Sequence, residues 1–573
     1  MSQGSFMKAL FHGIIADQLV TPYPTLHRDE QDNVQMILQS VRRFFEANVD
    51  SARMDLEQRI PEDVLAGMKQ LGLFGMTVPT EYGGIGLSTS AFARVMEEVA
   101  AHDASLAVTL GAHQAIGFMG VLLFGTEAQK KRWLPRLATG EMVAAFALTE
   151  SEAGSDASAI ATRAELDVSG AIYRITGRKT WVTNGGIADV FTVFARTAPA
   201  VSGSRPRITA FIVERQAGVE SGRPDRKLGI RASSTTEVSF DGVPVPAANV
   251  LGEVGRGFKV AMEVLNLGRL SLASGCLGAC KRLTRTTINR AHERHAFGRA
   301  IGEFELIKDK IAWMMSETWA LESMTYLTTG LVDARVGDCS LESAICKIFG
   351  SETLWRIANE ALQVAGGAGY MSDLPYERLL RDARVNTIFE GTNEILRLFV
   401  ALSGMQGPSR KLDEVAKAIR EPIKGLGLLS DFAVRKARSA LGRERLAGAH
   451  PALERETEVF ENYAIDLARS VEKLVRKHGK AIAEMEIQQR RLADMAIDLY
   501  AIAACISRTS RIIERRGEEG AQREIALTKA FVLPAEVRLQ SNLDGFARNT
   551  DVGRMAIADW ARKSGGYGFD VIG

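Results

Sequence analysis

Residues 381–399 read RDARVNTIFEGTNEILRLF and place one carboxylate, Glu390, between the apolar pair Ile388–Phe389 and Gly391–Thr392. A carboxylate with such neighbours sits in a low dielectric, which raises its pKa and makes it a better proton acceptor, and Gly391 lets a ligand approach the backbone. The same string also describes an exposed acid near the start of a helix, EILRLFVAL. A second pair with chemical potential is Trp181 and Thr183 in RKTWVTNGG (178–186). On a strand, positions two apart share a face. A flat aromatic beside a hydroxyl donor would give a flavin ring one surface to pack on and one hydrogen bond for its redox nitrogen. An ordinary half-buried strand would carry the same two residues. Upstream, FALTESEAGSD (146–156) passes from a strand end into a loop of hydroxyls and small side chains. Two other patterns carry no chemistry. HERH (292–295) has its histidines three apart, where a zincin helix needs four, so no metal site is expected. The glycines of GEVGRGF and AGGAGYM do not follow a strand that opens a βαβ unit, so a dinucleotide fingerprint is not indicated.

The elements that must position these residues follow from periodicity. Segments such as VQMILQSVRRFFEAN and EDVLAGMKQLGLFG repeat apolar residues three and four apart and predict helices from about residue 30 to 140. From about 141 the texture becomes short, β-branched and aromatic, as in DVFTVFART and ITAFIVER, and predicts strands to about 251. Helical periodicity returns from about 257 to 404, and again from about 431 to 563. The expected class is mostly α with an inserted β-domain. Its divisions are a helical domain over 1–140, a β-domain over 141–255, a helical bundle carrying Glu390 over 256–405, a linker over 406–430 and a C-terminal helical extension over 431–573.

The chain has 573 residues, enough for two to four domains. With 46% hydrophobic and 24% charged residues it has the composition of an ordinary globular protein. Its 71 basic and 69 acidic residues leave a net charge of +2, which argues against a nucleic-acid binder acting through a general positive field. Cys276, Cys280, Cys339, Cys346 and Cys505 form no CxxC pair, lie mostly in helical apolar sequence, and are expected as buried free thiols in a reducing compartment. The N-terminus has neither a secretory pattern nor an Arg- and Ser-rich transit pattern. No stretch is read as reaching about 18 uncharged apolar residues, so no membrane span is expected.

FALTESEAGSD, KTWVTNGG, ERHAFG, LQVAGGAGY and IFEGTNEILR occur in the order and spacing of the acyl-CoA dehydrogenase family, and together they identify the chain as a member across essentially its whole length. That resemblance implies a helical domain, a β-barrel or sandwich and a four-helix bundle, here with an extra helical domain. Within the family the chain is most similar to the very-long-chain branch and its complex-I-assembly relative. DQLVTPYP precedes the first periodic helix, TLGAHQAIGF stands where the family places the floor of its acyl pocket, and a long extension follows the helix that matches its catalytic one. By the resemblance, Glu390 is the base that removes the α-proton of a long-chain acyl-CoA, with hydride passing to N5 of FAD and trans-2-enoyl-CoA as product. Another branch carries its base just before the arginine of the preceding long helix. Here that position is Gly268, followed by Arg269, a supporting residue, and glycine cannot take a proton.

The resemblance further assigns Thr149, Ser155, Trp181 and Thr183 to the flavin ring and pyrophosphate. It assigns Arg294, Phe297, Gln363 and Gly367 to the adenosine half of FAD held from a neighbouring subunit, and Thr392 and Glu394 to further FAD contacts. It implies a homodimer, an electron-transferring flavoprotein as acceptor, a place in fatty-acid β-oxidation, and a bacterial cytoplasm or, in a eukaryote, the mitochondrial matrix. An acyl-CoA oxidase, or an assembly scaffold that keeps the fold, would share these motifs. Residues 410–446 carry ten basic against five acidic side chains with leucines interleaved. Such a segment can lie on an anionic membrane or serve as a solvated linker.

Overall fold

The computed structural model describes residues 4–198, 207–406 and 445–572. The chain opens with a short helix, α1 (Phe6–Leu10). It continues through α2 (Arg28–Asn48), α3 (Ser51–Glu57), α4 (Glu62–Gln70), α5 (Thr89–His102), α6 (Ala104–Gly111), α7 (Met119–Phe124) and α8 (Glu127–Ala138). Side-chain caps start several of them. Ser88 accepts from Ala91 N at α5, Asp103 from Ser105 N and Leu106 N at α6, and Thr126 with Gln129 forms a reciprocal capping box at α8.

Residues 104–124 correct one sequence expectation. They form a 21-residue helical run long and apolar enough to cross a membrane. Of its most apolar window, 72% is buried inside the protein. A π-helical turn over Ala112–Gly117 carries two polar side chains whose partners are all internal. His113 accepts from Ala144 N through Nδ1 (2.9 Å) and faces the Leu137 carbonyl through Nε2 (3.1 Å), while Gln114 donates to the Leu73 carbonyl (2.7 Å). Buried polar groups satisfied in this way mark a core helix.

The strands β1 (Ala144–Ala147), β2 (Arg163–Leu166), β3 (Ile172–Thr183), β4 (Val190–Thr197), β5 (Arg207–Glu214), β6 (Val219–Ser221), β7 (Thr235–Pro246) and β8 (Val250–Leu251) join in one sheet, ordered β6-β7-β3-β2-β4-β5-β8 with β1 on β4. Alternation along β4 divides its side chains between two cores. Phe191, Val193 and Ala195 pack within the sheet, while Val190 and Phe194 meet the helical layer of α7 and α8.

Next come α9 (Gly257–Glu293), a hairpin of β9 (His295–Ala296) and β10 (Arg299–Ala300), α10 (Glu305–Asp333), α11 (Ser340–Ala365), α12 (Gly367–Tyr370), α13 (Tyr376–Arg384) and α14 (Asn393–Met405). An appended layer follows, with α15 (Glu454–His478), α16 (Glu486–Gly520), α17 (Gln522–Gly545) and α18 (Asp551–Ser564). All but the last two residues of the basic segment 410–446 lie outside the described residues. Four of the five free cysteines are buried and Cys339 is half-buried.

Helix α1 was not foreseen in the sequence. All five of its residues are buried, and the segment straps the bundle to the appended layer. Phe6 stacks on Phe460 of α15 at 6.4 Å, and Met7 N and Ser5 Oγ both donate to Glu342 of α11 (2.9 and 2.6 Å). Further on, Ser507 of α16 donates to the Val20 carbonyl. Phe6→Ala is expected to lower stability by about 3–5 kcal/mol, the usual cost of emptying a phenylalanine site. Denaturant unfolding followed by far-UV circular dichroism measures it.

Candidate active site

Three elements converge on Glu390: α9 about a third of the way along, at Gly268 and Arg269, the first third of α11, at Lys347, and the turn that opens α14. After a 3₁₀ turn over Val385–Thr387, Glu390 and Gly391 both take left-handed backbone, with φ of 57° and 92°. Left-handed backbone at a non-glycine residue costs about 1–3 kcal/mol and is kept only where its surroundings enforce it. Arg269 of α9 supplies one hold, donating from Nε to the Glu390 carbonyl (3.3 Å). Lys347 of α11 supplies another, donating from Nζ to the Gly391 carbonyl (2.8 Å). Thr392 then caps α14 by accepting from Ile395 N.

The Glu390 side chain enters an apolar cavity. Its Oε2 is enclosed yet has no hydrogen-bond partner among the described residues. Burial pushes the carboxyl up to about 7, against the opposing pull of Arg269 and Lys347. Burial also lowers Arg269, to about 10, which leaves it charged at neutral pH. Room for the carboxylate comes from Gly268, where an added Cβ would stand 2.9 Å from Glu390 Oε2. The Glu390 N–H donates to no group among the described residues, so it is free for a ligand acceptor.

From Glu390 the cavity follows α9 as far as Leu283, about 22 Å at the helical rise. Ala100, Ala104, Ala107, Gly111, Gly275 and Ala279 keep its walls far apart. Ile230, Asp382 and Asn386 close one side. The loop carrying Ile230 is pressed onto α13, since an added Cβ at Gly229 would meet the Arg381 backbone at 2.3 Å. Ile230 N donates to Asp382, and burial raises that carboxyl to about 7.

Thr183 lines the same cavity, and its hydroxyl has no intramolecular partner among the described residues. Trp181 does not follow simple strand alternation. The register of β3 on β7 shifts between Lys179 and Val182, Trp181 takes φ 55°, and its side chain is 63% exposed. A bulge of this kind re-aims a side chain. Thr149 lies beside it, its carbonyl accepting from Thr180 N (3.0 Å). A buried ion pair holds that junction: Lys179 Nζ donates to Glu150 (2.8 Å), and Glu150 also accepts from Thr162 N (3.0 Å). Ser155 and Glu394 are exposed.

Arg294, Phe297, Gln363 and Gly367 stand apart, exposed at the far ends of α9 and α11, with Phe297 95% exposed at φ 53°. Arg294 is roughly 37 Å from Arg269 at the rise of α9. Lys347, Asn393, Glu150 and Lys179 were missed in the sequence. A lysine inside the apolar run SAICKIFG was the one signal available for Lys347.

The Glu390 carboxyl, with one enclosed and unpaired oxygen, heads a long apolar cavity on a bundle joined to an inserted sheet, and similarity to flavoprotein dehydrogenases gives the class. The chain belongs to the acyl-CoA dehydrogenase family. Models of that family's N-terminal, middle and C-terminal domains match residues 31–141, 145–243 and 255–405. A model of the ACAD9/ACADV C-terminal domain matches residues 451–559. The very long-chain specific acyl-CoA dehydrogenase of Homo sapiens mitochondria is 43% identical over 94% of this chain and 84% of its own. A solved acyl-CoA dehydrogenase complexed with FAD from Bacillus anthracis superposes with TM-score 0.81 at 31% identity, covering 97% of this chain and 94% of that one. Butyryl-CoA dehydrogenase from Megasphaera elsdenii is 33% identical with TM-score 0.62, and covers 66% of this chain and 98% of its own. The appended layer lies beyond what that shorter relative spans.

Proposed function

We propose that the protein oxidises long-chain fatty acyl-CoA thioesters to the trans-2-enoyl-CoA, with Glu390 taking the α-proton. The observation that carries this reading is the enclosed, unpaired Glu390 carboxyl, raised to about 7, at the head of an apolar cavity. A proton α to a thioester is too weakly acidic for a carboxylate alone, so the developing enolate must be stabilised. The free Glu390 N–H is suited to donate a hydrogen bond to the enolate oxygen, and losing one such donor costs about 10²–10³ in rate. Arg269 and Lys347 fix the turn that aims both groups.

The residues present fit FAD, the cofactor of this family. Trp181 presents an exposed ring beside the cavity, and Thr183 offers an unpartnered hydroxyl inside it. Thr149, Ser155, Thr392 and Glu394 would complete that end of the cofactor. When bound, FAD supplies the acceptor for the β-hydrogen as hydride. Arg294, Phe297, Gln363 and Gly367 would hold the adenosine half. Their separation from Glu390 along α9 and α11 supports two copies sharing each cofactor, hence a homodimer that loses FAD on dissociation. An electron-transferring flavoprotein is the proposed acceptor, and release of peroxide in air would instead indicate an oxidase.

Anaerobic addition of palmitoyl-CoA to the FAD-loaded protein should bleach the visible flavin band. A protein that holds FAD but is bleached by no acyl-CoA would overturn the proposal in favour of a scaffold. Each methylene buried in the cavity adds about 0.8 kcal/mol. KM is therefore expected to fall from C8 to C16 substrates, and a flat series would remove the long-chain assignment.

A further inference from the structure

Lys347 is fully buried, and both atoms it holds belong to the catalytic turn. Its Nζ donates to the Gly391 carbonyl and to Asn393 Oδ1, each at 2.8 Å. Asn393 is itself 2% exposed, and its Nδ2 donates to Ser351 Oγ and to Glu352 Oε1, both at 3.0 Å. Glu352 accepts a two-pronged bond from Arg397 (2.7 and 2.9 Å), and the remaining Arg397 nitrogen, Nε, donates to Asp494 (2.6 Å). Asp494 belongs to α16, in the appended layer. Five polar side chains thus run without a break from a helix outside the catalytic bundle to the carbonyl that follows Glu390.

The row has features of a positioning device. Its near end grips a turn with two successive left-handed residues, a shape the backbone would leave if unsupported. Its middle is a planar guanidinium bound on both edges, which fixes α14 against α11 and α16 together. The neutral hydroxyls of Thr392, which caps α14, and Ser351, inside α11, cannot supply charge at the turn, whereas Lys347, lowered by burial to about 8, is still charged at neutral pH.

We propose that Lys347, Asn393, Glu352, Arg397 and Asp494 form a positioning relay through which the appended helical layer fixes the Glu390 carboxyl. The charged and titratable groups facing Glu390 are Arg269 on α9 and Lys347 on α11, with Asp382 of α13 lining the same cavity. Those facing Lys347 are Cys276, Glu390, Arg269 and Glu352. Removing the Lys347 cation withdraws one of the two charges that favour ionised Glu390, so the acid limb of activity should move to higher pH. Asp494 lies too far along the row to act through charge and should change rate alone.

The relay rests on Glu390 as the base, so Glu390→Gln is run beside the relay variants and separates the two ideas. Each FAD-loaded variant is mixed anaerobically with palmitoyl-CoA, and the flavin reduction rate is followed from pH 5.5 to 9. Lys347→Met is expected to slow reduction by about 10–100-fold, as misplacement of a reacting group does. Its KM should be little changed, and its acid limb should rise. Asp494→Ala is expected to slow reduction several-fold with the acid limb in place, and Asp494→Glu to recover most of the loss. The protonated-carboxyl infrared band of Glu390, titrated without substrate against Glu390→Gln, should report the same upward shift in Lys347→Met. Wild-type rate and limb in Lys347→Met, or wild-type rate in Asp494→Ala, would overturn the relay. Rapid reduction in Glu390→Gln would overturn the base assignment instead. Should Lys347→Met fail to fold, Asn393→Ala, which keeps the Lys347 cation, is expected to slow reduction with the acid limb in place, and a wild-type rate there would equally overturn the relay.

Discussion

Glu390→Gln should fold, bind FAD and lose turnover by about 10²–10⁴-fold, the range that a positioned general base contributes. The amide keeps the volume of the side chain and cannot take the α-proton. The enclosed Oε2 has no partner to lose, so the exchange leaves no broken hydrogen bond behind. In the wild type only the ionised carboxyl works as a base, and burial sets its pKa at about 7. The value of kcat/KM should therefore rise with pH through about 7 and level off above it, and the residual rate of Glu390→Gln should lack that limb. Retention of more than about a tenth of wild-type turnover would exclude Glu390 as the sole base.

The second large effect is expected at a residue with no side chain. A Cβ on Gly268 would stand 2.7 Å from Ile116 Cγ2 and 2.9 Å from Glu390 Oε2. Glu390 Oε2 ends a flexible side chain and can swing aside, while the Ile116 Cγ2 methyl sits on a stiff, branched Cβ and gives less, so Gly268→Ala should fold chiefly by displacing the carboxylate. The carboxylate that moves is the one that must meet the α-proton, and a displacement near 1 Å can cost about 10²-fold in rate. Rapid-mixing flavin reduction should show that loss with FAD content and unfolding midpoint close to wild type. A wild-type rate in Gly268→Ala would mean that the cavity has slack on that side and that Glu390 is less tightly placed than its enclosure suggests.

Much of this was legible in the sequence, for reasons that differ by element. The helix–sheet–helix order follows from a change of hydrophobic period near residue 141, and the structure carries strands from Ala144 to Leu251. Glu390 was legible because its chain neighbour Phe389 also lines its cavity, although Ile388, expected to shield it too, is 51% exposed. Lys347 was not, because what makes it matter lies across a helix packing, in Gly391 and Asn393. The shape around Trp181 was hidden as well, since a bulge adds one residue to a strand and period-two reasoning then assigns the wrong face. Helix α1 is too short for any period to register. Residues 104–124 satisfied a membrane-span test because helices packed on every side in a large core have the same composition. Their four polar residues, Ser105, Thr109, His113 and Gln114, all buried, fit an interior location.

The strap formed by residues 5–20 also has a consequence for synthesis. Phe6, Met7, Leu10 and Phe11 are buried, and Phe6 rests on α15, which is translated more than four hundred residues later. At about 5–20 residues per second, that apolar segment waits for tens of seconds before its site exists. The emerging chain therefore carries this greasy segment without its partner until α15 has been made, a standing demand for chaperone cover. Production of the protein should be more sensitive to chaperone supply than the stability of the finished enzyme would suggest.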